Sequence, residues 1–313
     1  MDFACNSSAR LNGYKLLQYV CSEFLTNVKK HVIIEKNETD CKRAERRCCM
    51  LTIQEYVKAE SLEQAYELNQ KKTNRIIGGM LWMKMSPLNI RTAIDLSGLG
   101  LDKIEETQEE FRIGCMVSLR QLELHPGLAA YTQGSMKESV RHIVGVQFRN
   151  LATVGGSIFG RFGFSDVLTE FMALGAEVEL FQGGRMSLEE FARRKYDNDI
   201  LVRVILKKVP QDSVYLSMRN TQTDFPVLTC AVTRREEKAC AVIGARPARA
   251  VAIYDEADLL KNGVTDASAR AFADYVAEHV VTGSNKRAQA QYRTHLVKVL
   301  TRRACQRLGG EAK

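Results

Sequence analysis

Two pairs of adjacent glycines, Gly78-Gly79 and Gly155-Gly156, punctuate the first part of this chain, and each closes a short extended run. The first pair follows an apolar strand at Arg75-Ile76-Ile77. The second follows the β-branched pair Thr153-Val154 and precedes a helix-like stretch. Glycine lets a backbone take positive φ and approach a ligand closely. Successive free N–H groups in such a turn form a nest for a phosphate, so two turns together can clamp a pyrophosphate. Either pair taken alone also reads as a tight turn between strands. No Gly-x-Gly-x-x-Gly follows a strand and no Gly-x-x-x-x-Gly-Lys-Ser/Thr occurs, which argues against a Rossmann or P-loop site.

Around the turns, apolar spacing alternates between strand and helix periods. Strands are expected near Ile53–Val57, at Arg75–Ile77, Thr92–Leu96, Phe111–Met116, Ala176–Phe181, Leu201–Leu206 and Ser213–Met218. A helix capped by Ser61, with Gln64 at the capping-box position, is expected after the first strand, and a second after Ser118. Helical spacing returns at Ser139–Val146 and Asp166–Leu174. Beyond residue 210 a hairpin at 227–233 and 239–243 is followed by helices at about 265–280 and 287–307. Strands then helices imply a separate α+β domain.

The composition is that of a soluble globular chain: 313 residues, 45% apolar and 26% charged. The apolar runs are too short to span a bilayer. The net charge of +8 suits anionic cofactors or an acidic partner. No Lys/Arg stripe interleaved with aromatics argues for nucleic acid. Cys115, Cys230, Cys240 and Cys305 stand singly among apolar neighbours and read as buried free thiols, which fits a reducing, cytoplasmic setting. No histidine spacing suggests a metal site; His142 reads as a helix-surface residue.

The segment Arg149-Asn150-Leu-Ala-Thr-Val-Gly-Gly-Ser-Ile resembles the signature Arg-Asn-x-x-Thr-Ile-Gly-Gly-Asn-Ile of the FAD subunits of the xanthine dehydrogenase and carbon monoxide dehydrogenase family. Further matches follow in the family's order. Ile77-Gly78-Gly79-Met80-Leu81-Trp82 sits where the family has a first glycine turn. Phe164-Ser165-Asp166 resembles its Ser-Asp, Tyr215 to Val227 the start of its last domain, and Gln291 to Ala304 its terminal helix. The resemblance covers residues 50–313.

The resemblance implies an α+β fold with a two-lobed, PCMH-type FAD-binding domain at 50–208, its lobes at about 50–107 and 108–208, and a C-terminal α+β domain at 209–313. It implies FAD as cofactor. The backbone of Ile77, Gly78, Gly79, Met80, Leu81 and Trp82, and that of Thr153, Val154, Gly155, Gly156 and Ser157, would hold the pyrophosphate. Asp166 would bond the ribityl or adenosine portion, or else cap the helix that follows it, and Arg219 would lie near the flavin ring. The implied activity is electron transfer, with no catalytic acid or base on this chain. The implied partners are a molybdopterin-containing large subunit, a small [2Fe-2S] subunit and NAD or another acceptor. Two departures stand out: Met80-Leu81 replaces the family's Thr-Asp, which leaves a scaffold without FAD as an alternative, and Ser157 replaces Asn. A stand-alone flavin oxidase is a further alternative, although no His or Cys lies between Cys49 and Cys115 to tether a flavin.

Residues 1–49 match nothing in the family and hold five of the nine cysteines. Arg46-Arg47 can be encoded as AGGAGG, a ribosome-binding sequence, two codons before Met50. The native protein is therefore expected to begin at Met50, with residues 1–49 a non-native or disordered extension. N-terminal sequencing of the native protein checks this, and peptides from residues 11–30 would refute it.

Overall fold

The computed structural model describes residues 51–235 and 238–310. The expectations for residues 1–49 lie outside the described residues.

Strands β1 (Thr52–Lys58), β2 (Arg75–Ile77) and β3 (Asn89–Asp95) form a parallel sheet in the order β1-β3-β2. Parallel strands of one sheet need a crossover connection, and helix α1 (Leu62–Asn69) provides the one from β1 to β2, which flank β3. Ser61 caps it by accepting from the Gln64 N–H at 3.2 Å. The Gln64 side chain reaches one residue further back than a capping box requires, accepting from the Glu60 N–H at 2.7 Å.

The second sheet is antiparallel, ordered β4-β5-β8-β6-β7, from β4 (Ile104–Glu106), β5 (Glu110–Gly114), β6 (Glu177–Leu180), β7 (Gly184–Ser187) and β8 (Leu201–Lys207). Because β4 pairs with β5, this sheet begins at Ile104, a few residues before the lobe boundary expected at about 107. Six helices separate β5 from β6: α2 (Leu119–Leu124), α3 (Pro126–Tyr131), α4 (Ser135–Arg141), α5 (Val146–Leu151), α6 (Val154–Phe159) and α7 (Asp166–Ala173). Helix α8 (Leu188–Arg193) follows β7. Ser118 completes a capping box on α2 with Gln121.

The helix expected over Ser139–Val146 is interrupted. Helix α4 stops at Arg141, the chain turns with Val144 at φ 50°, and α5 starts at Val146. The new direction buries Arg149 against Glu123, with Nε 2.8 Å from Oε2. Burial raises the Glu123 carboxyl, but hydrogen bonds from Arg149 and Arg120 outweigh it and hold the group below the usual carboxylate range. Arg149 of the signature is thus spent on the fold.

The C-terminal sheet is an antiparallel meander, β12-β11-β10-β9, from β9 (Gln211–Arg219), β10 (Pro226–Arg235), β11 (Lys238–Gly244) and β12 (Val251–Tyr254). Strand β10 is buried from Pro226 to Thr233, as a strand covered on both faces must be. Leu228, Cys230 and Val232 face the core built with α9 (Asp266–His279) and α10 (Ala290–Leu308). The opposite face meets α7. Thr229 Oγ1 lies 3.1 Å from Thr169 Oγ1, and the Thr233 hydroxyl donates to the Ala173 carbonyl at 2.9 Å. Ser213 and Tyr215 on β9 share this inner face. Cys115, Cys230, Cys240 and Cys305 are buried and free, and burial pushes the first three thiols up to about 12. Among the described residues no helix is long and apolar enough to cross a membrane.

Candidate functional site

The fold brings the two glycine pairs together. A Cβ on Gly78 would stand 2.8 Å from Thr153 Oγ1, and one on Gly79 would stand 1.8 Å from the Leu151 carbonyl oxygen. The first turn therefore lies directly on the chain that leads into the second, and only glycine fits at Gly79. On the second turn, a Gly155 Cβ would meet the Cys115 carbonyl at 2.8 Å, so Gly155 is small because the chain leaving β5 runs beside it. A Gly156 Cβ would meet only Thr153 Oγ1, at 3.2 Å.

The turns differ in their free donors. The N–H groups of Val154 and Gly155 bond the Val117 and Cys115 carbonyls at 2.8 Å each, and that of Ser157 bonds the Thr153 carbonyl at 3.1 Å. The Gly156 N–H is held by a side chain, Thr153 Oγ1, at 3.1 Å. Val154 itself is fully buried in the core. By contrast, the N–H groups of Gly78, Gly79, Met80, Leu81 and Trp82 have no acceptor among the described residues. Met80 takes a left-handed conformation, φ 56°, which turns this run.

Two cavities meet at this junction, sharing Ile76, Gly78, Thr153 and Gly156 as their waist. One, of about 330 Å³, reaches the aromatic side chains Trp82, Phe148, Phe164 and Phe225 and ends on Asp166 and Arg219. The other, of about 590 Å³, is bounded by Ile77, Gly155, Lys72, Arg75 and the segment 196–201. Trp82 stacks on Phe225 with centroids 5.3 Å apart, and Phe164 meets Phe225 edge-on at 4.6 Å.

Asp166 lies at the first position of α7 and is 4% exposed. Ser165 is the cap, accepting from the Leu168 N–H at 3.1 Å, so the capping alternative for Asp166 falls away. The carboxylate accepts from the Tyr215 hydroxyl at 2.5 Å and pairs with Arg219. Burial pushes the Asp166 carboxyl up to about 6, against the opposing pull of Arg219 and Tyr215. Arg219 also donates to the Asp224 carbonyl at 2.6 Å, while its buried Nε has no partner.

Of the residues singled out in the sequence, Ile77 to Trp82, Thr153, Gly155, Gly156, Ser157, Asp166 and Arg219 all border these cavities, and Val154 does not. The Ser157 hydroxyl is turned back to the Thr153 carbonyl at 3.0 Å. His142 is half-buried at the end of α4, and burial, then Arg141 and Arg219, lower its pKa. Sequence reasoning passed over Tyr215, Phe148 and Phe225 as site residues. Tyr215 and Phe225 lie in segments matched for their order alone; only the tertiary structure puts Phe225 in the cavity lining and the Tyr215 hydroxyl on the Asp166 carboxylate.

Comparison with known proteins places this geometry. Residues 51–210 match the family model of the FAD binding domain in molybdopterin dehydrogenase, and residues 213–308 that of the CO dehydrogenase flavoprotein C-terminal domain. The chain is similar to the Escherichia coli (strain K12) protein YgfM, described as uncharacterized, with 24% identity over 268 residues, 83% of this chain and 99% of that one. Its fold matches quinoline 2-oxidoreductase from Pseudomonas putida 86 at a TM-score of 0.74 and 18% identity, over 84% of this chain and 99% of that one. It also matches reconstituted CO dehydrogenase from Oligotropha carboxidovorans at a TM-score of 0.73 and 20% identity, over 83% of this chain and 99% of that one. A run of free backbone donors that starts at the waist of two cavities and continues along the aromatic one, the other being lined by both cationic and acidic side chains, fits a dinucleotide held by its pyrophosphate. The chain belongs to the FAD-binding flavoprotein family of the molybdopterin dehydrogenases, as an oxidoreductase subunit whose cofactor is FAD.

Proposed function

We propose that this chain is the electron-transfer subunit of a molybdenum hydroxylase, passing electrons from iron–sulfur clusters of a small [2Fe-2S] subunit, through FAD, to NAD or another acceptor. The substrate is oxidised on a molybdopterin-containing large subunit. The observation that carries this reading is the run of unengaged N–H groups from Gly78, at the cavity waist, to Trp82, along the aromatic cavity. These five donors would hold the pyrophosphate, and they survive the Met80-Leu81 departure because they belong to the backbone. Rotation of the Thr153 hydroxyl would free the Gly156 N–H as a donor from the second turn. Asp166 would accept from hydroxyls of the ribityl or adenosine portion, and Arg219 would set a positive charge beside the flavin ring. When bound, FAD supplies redox chemistry that no side chain offers, and the protein orients it and sets its surroundings. Relatives named for quinoline and for carbon monoxide share the fold, which fits substrate choice residing on another subunit. Four buried thiols without a disulfide fit a cytoplasmic setting.

The cavity mouth favours a complex. Trp82, Val144, Phe162 and Phe164 are 44%, 43%, 43% and 37% exposed, a clustering of apolar side chains that a partner would cover. Affinity purification of the native chain from its source is expected to bring down a large molybdenum-containing subunit and a small two-cluster iron–sulfur subunit. A chain that elutes alone, and whose reduced flavin turns over a substrate with no added partner, overturns the subunit reading.

A further inference from the structure

Three oxygen–oxygen contacts run in series through the buried junction of α4, α7 and β9. Ser213 Oγ lies 3.1 Å from the Thr132 carbonyl oxygen, Ser135 Oγ lies 2.7 Å from Ser213 Oγ, and Ser135 Oγ lies 2.5 Å from Glu170 Oε1. Each contact needs one proton between its oxygens. A carbonyl carries none and each serine carries one, so with Glu170 ionised two protons serve three contacts. A proton on Glu170 completes the set. Glu170 then donates to Ser135, Ser135 to Ser213, and Ser213 to the Thr132 carbonyl.

The surroundings agree with the count. Glu170 is 0% exposed, and its second oxygen, Oε2, has no hydrogen-bond partner. A buried carboxylate with one acceptor site used and no cation beside it is strongly disfavoured. The charged and titratable groups on the elements packed around it are engaged elsewhere. Asp166 on α7 is bonded to Tyr215 and Arg219 on β9. Arg235 on β10 donates to the Ala173 carbonyl at the far end of α7. Helix α4 contributes the uncharged Ser135 and Ser139, β10 the uncharged Thr229 and Thr233, and β11 the buried thiol Cys240.

We propose that Glu170 is a neutral hydrogen-bond donor and a positioning residue for the flavin site: its proton fastens β9 to α4 and α7, and so sets Tyr215 and Arg219, further along the same strand, on Asp166 in the cavity wall. Loss of that proton leaves two oxygens facing each other with no hydrogen between them, and the seam loosens. Burial pushes Glu170 up to about 7, with the hydrogen bond to Ser135 opposing it, in keeping with a protonated acid. The consequence for flavin rests on the cavity assignment made above; the proton count does not.

The test uses the full chain without flavin. Glu170 holds its proton more tightly folded than unfolded, so its contribution to stability is complete below about pH 4.5 and is lost as pH rises to about 7. Across that window the unfolding constant of wild type should rise up to about tenfold per pH unit faster than that of Glu170→Gln, whose amide still donates to Ser135 but does not titrate. Asp166 titrates in both proteins, so the comparison reads the difference that the Glu170 proton makes, directly or through its hold on β9. Ser213→Ala should move the window to lower pH, because it frees the Ser135 proton for the carboxylate. Parallel pH profiles for wild type and Glu170→Gln, or an unmoved window in Ser213→Ala, overturn the proton assignment. The positioning role is read from FAD affinity. Glu170→Gln should match wild type within about twofold at pH 6 and keep its affinity at pH 8, where wild type weakens. Identical FAD profiles from pH 6 to pH 8 overturn that role. A wild-type chain that takes up no FAD at any pH refutes the flavin assignment instead, and the unfolding profiles still decide the proton.

Discussion

Gly156→Val is expected to strip the chain of FAD while leaving it folded. A Cβ at this position meets only the Thr153 hydroxyl, at 3.2 Å, a side chain that can rotate away. Valine is also a better helix former than glycine, so the first turn of α6 loses nothing in propensity. The branched carbons would instead project toward the waist shared by the two cavities, where the pyrophosphate is assigned. Excluding the ligand by steric overlap should weaken FAD binding by on the order of 100-fold or more, about 2.7 kcal/mol. Gly155→Val is the contrasting control. Its Cβ would stand 2.8 Å from the Cys115 carbonyl, a buried backbone atom just beyond β5, so it should destabilise the chain whether or not flavin is present. Flavin absorbance after gel filtration, read beside far-ultraviolet circular dichroism, separates the two. Stoichiometric flavin in a folded Gly156→Val chain would move the clamp elsewhere.

Asp166→Ala is expected to cost both stability and flavin, and flavin more. In the chain without FAD it leaves Arg219, with a side chain only 7% exposed, as a buried cation without its counter-charge. Breaking a buried pair from one side costs about 3–5 kcal/mol, several times the loss of a helix cap. Tyr215 loses its acceptor in the same step. FAD affinity should fall further than this stability loss accounts for, because the carboxylate borders the cavity and would bond the cofactor directly. Denaturant unfolding of the apo chain and an FAD titration of the folded variant measure the two separately. If affinity falls no further than the folded population does, Asp166 serves only to hold Arg219.

The identity of most secondary-structure elements was legible in the sequence because local rules govern them. Ser118 with Gln121, Ser61 before Leu62, and the alternating strand of Ser213–Met218 state their own geometry. The two glycine turns were legible as well, through residue type and order. Which of them offers free donors was not. The N–H groups of Val154 and Gly155 are taken by carbonyls of Val117 and Cys115, some forty residues away in sequence, and no local pattern announces that pairing. The role of Arg149 was hidden for the same reason, since its partner Glu123 lies on another helix beyond a turn that broke the helical spacing at Val144. Asp166 read as a ligand with a helix cap as the alternative, until the structure put Ser165 at the cap and Tyr215 and Arg219 against the carboxylate. Glu170 gave no signal at all: a carboxylate in an apolar helix is ordinary until three elements close over it and leave two protons for three contacts. Sequence by itself determined what each segment is, because capping, alternation and glycine conformations are short-range; the tertiary structure decided which groups remain free to act, because burial and hydrogen-bond satisfaction depend on contacts between distant parts of the chain.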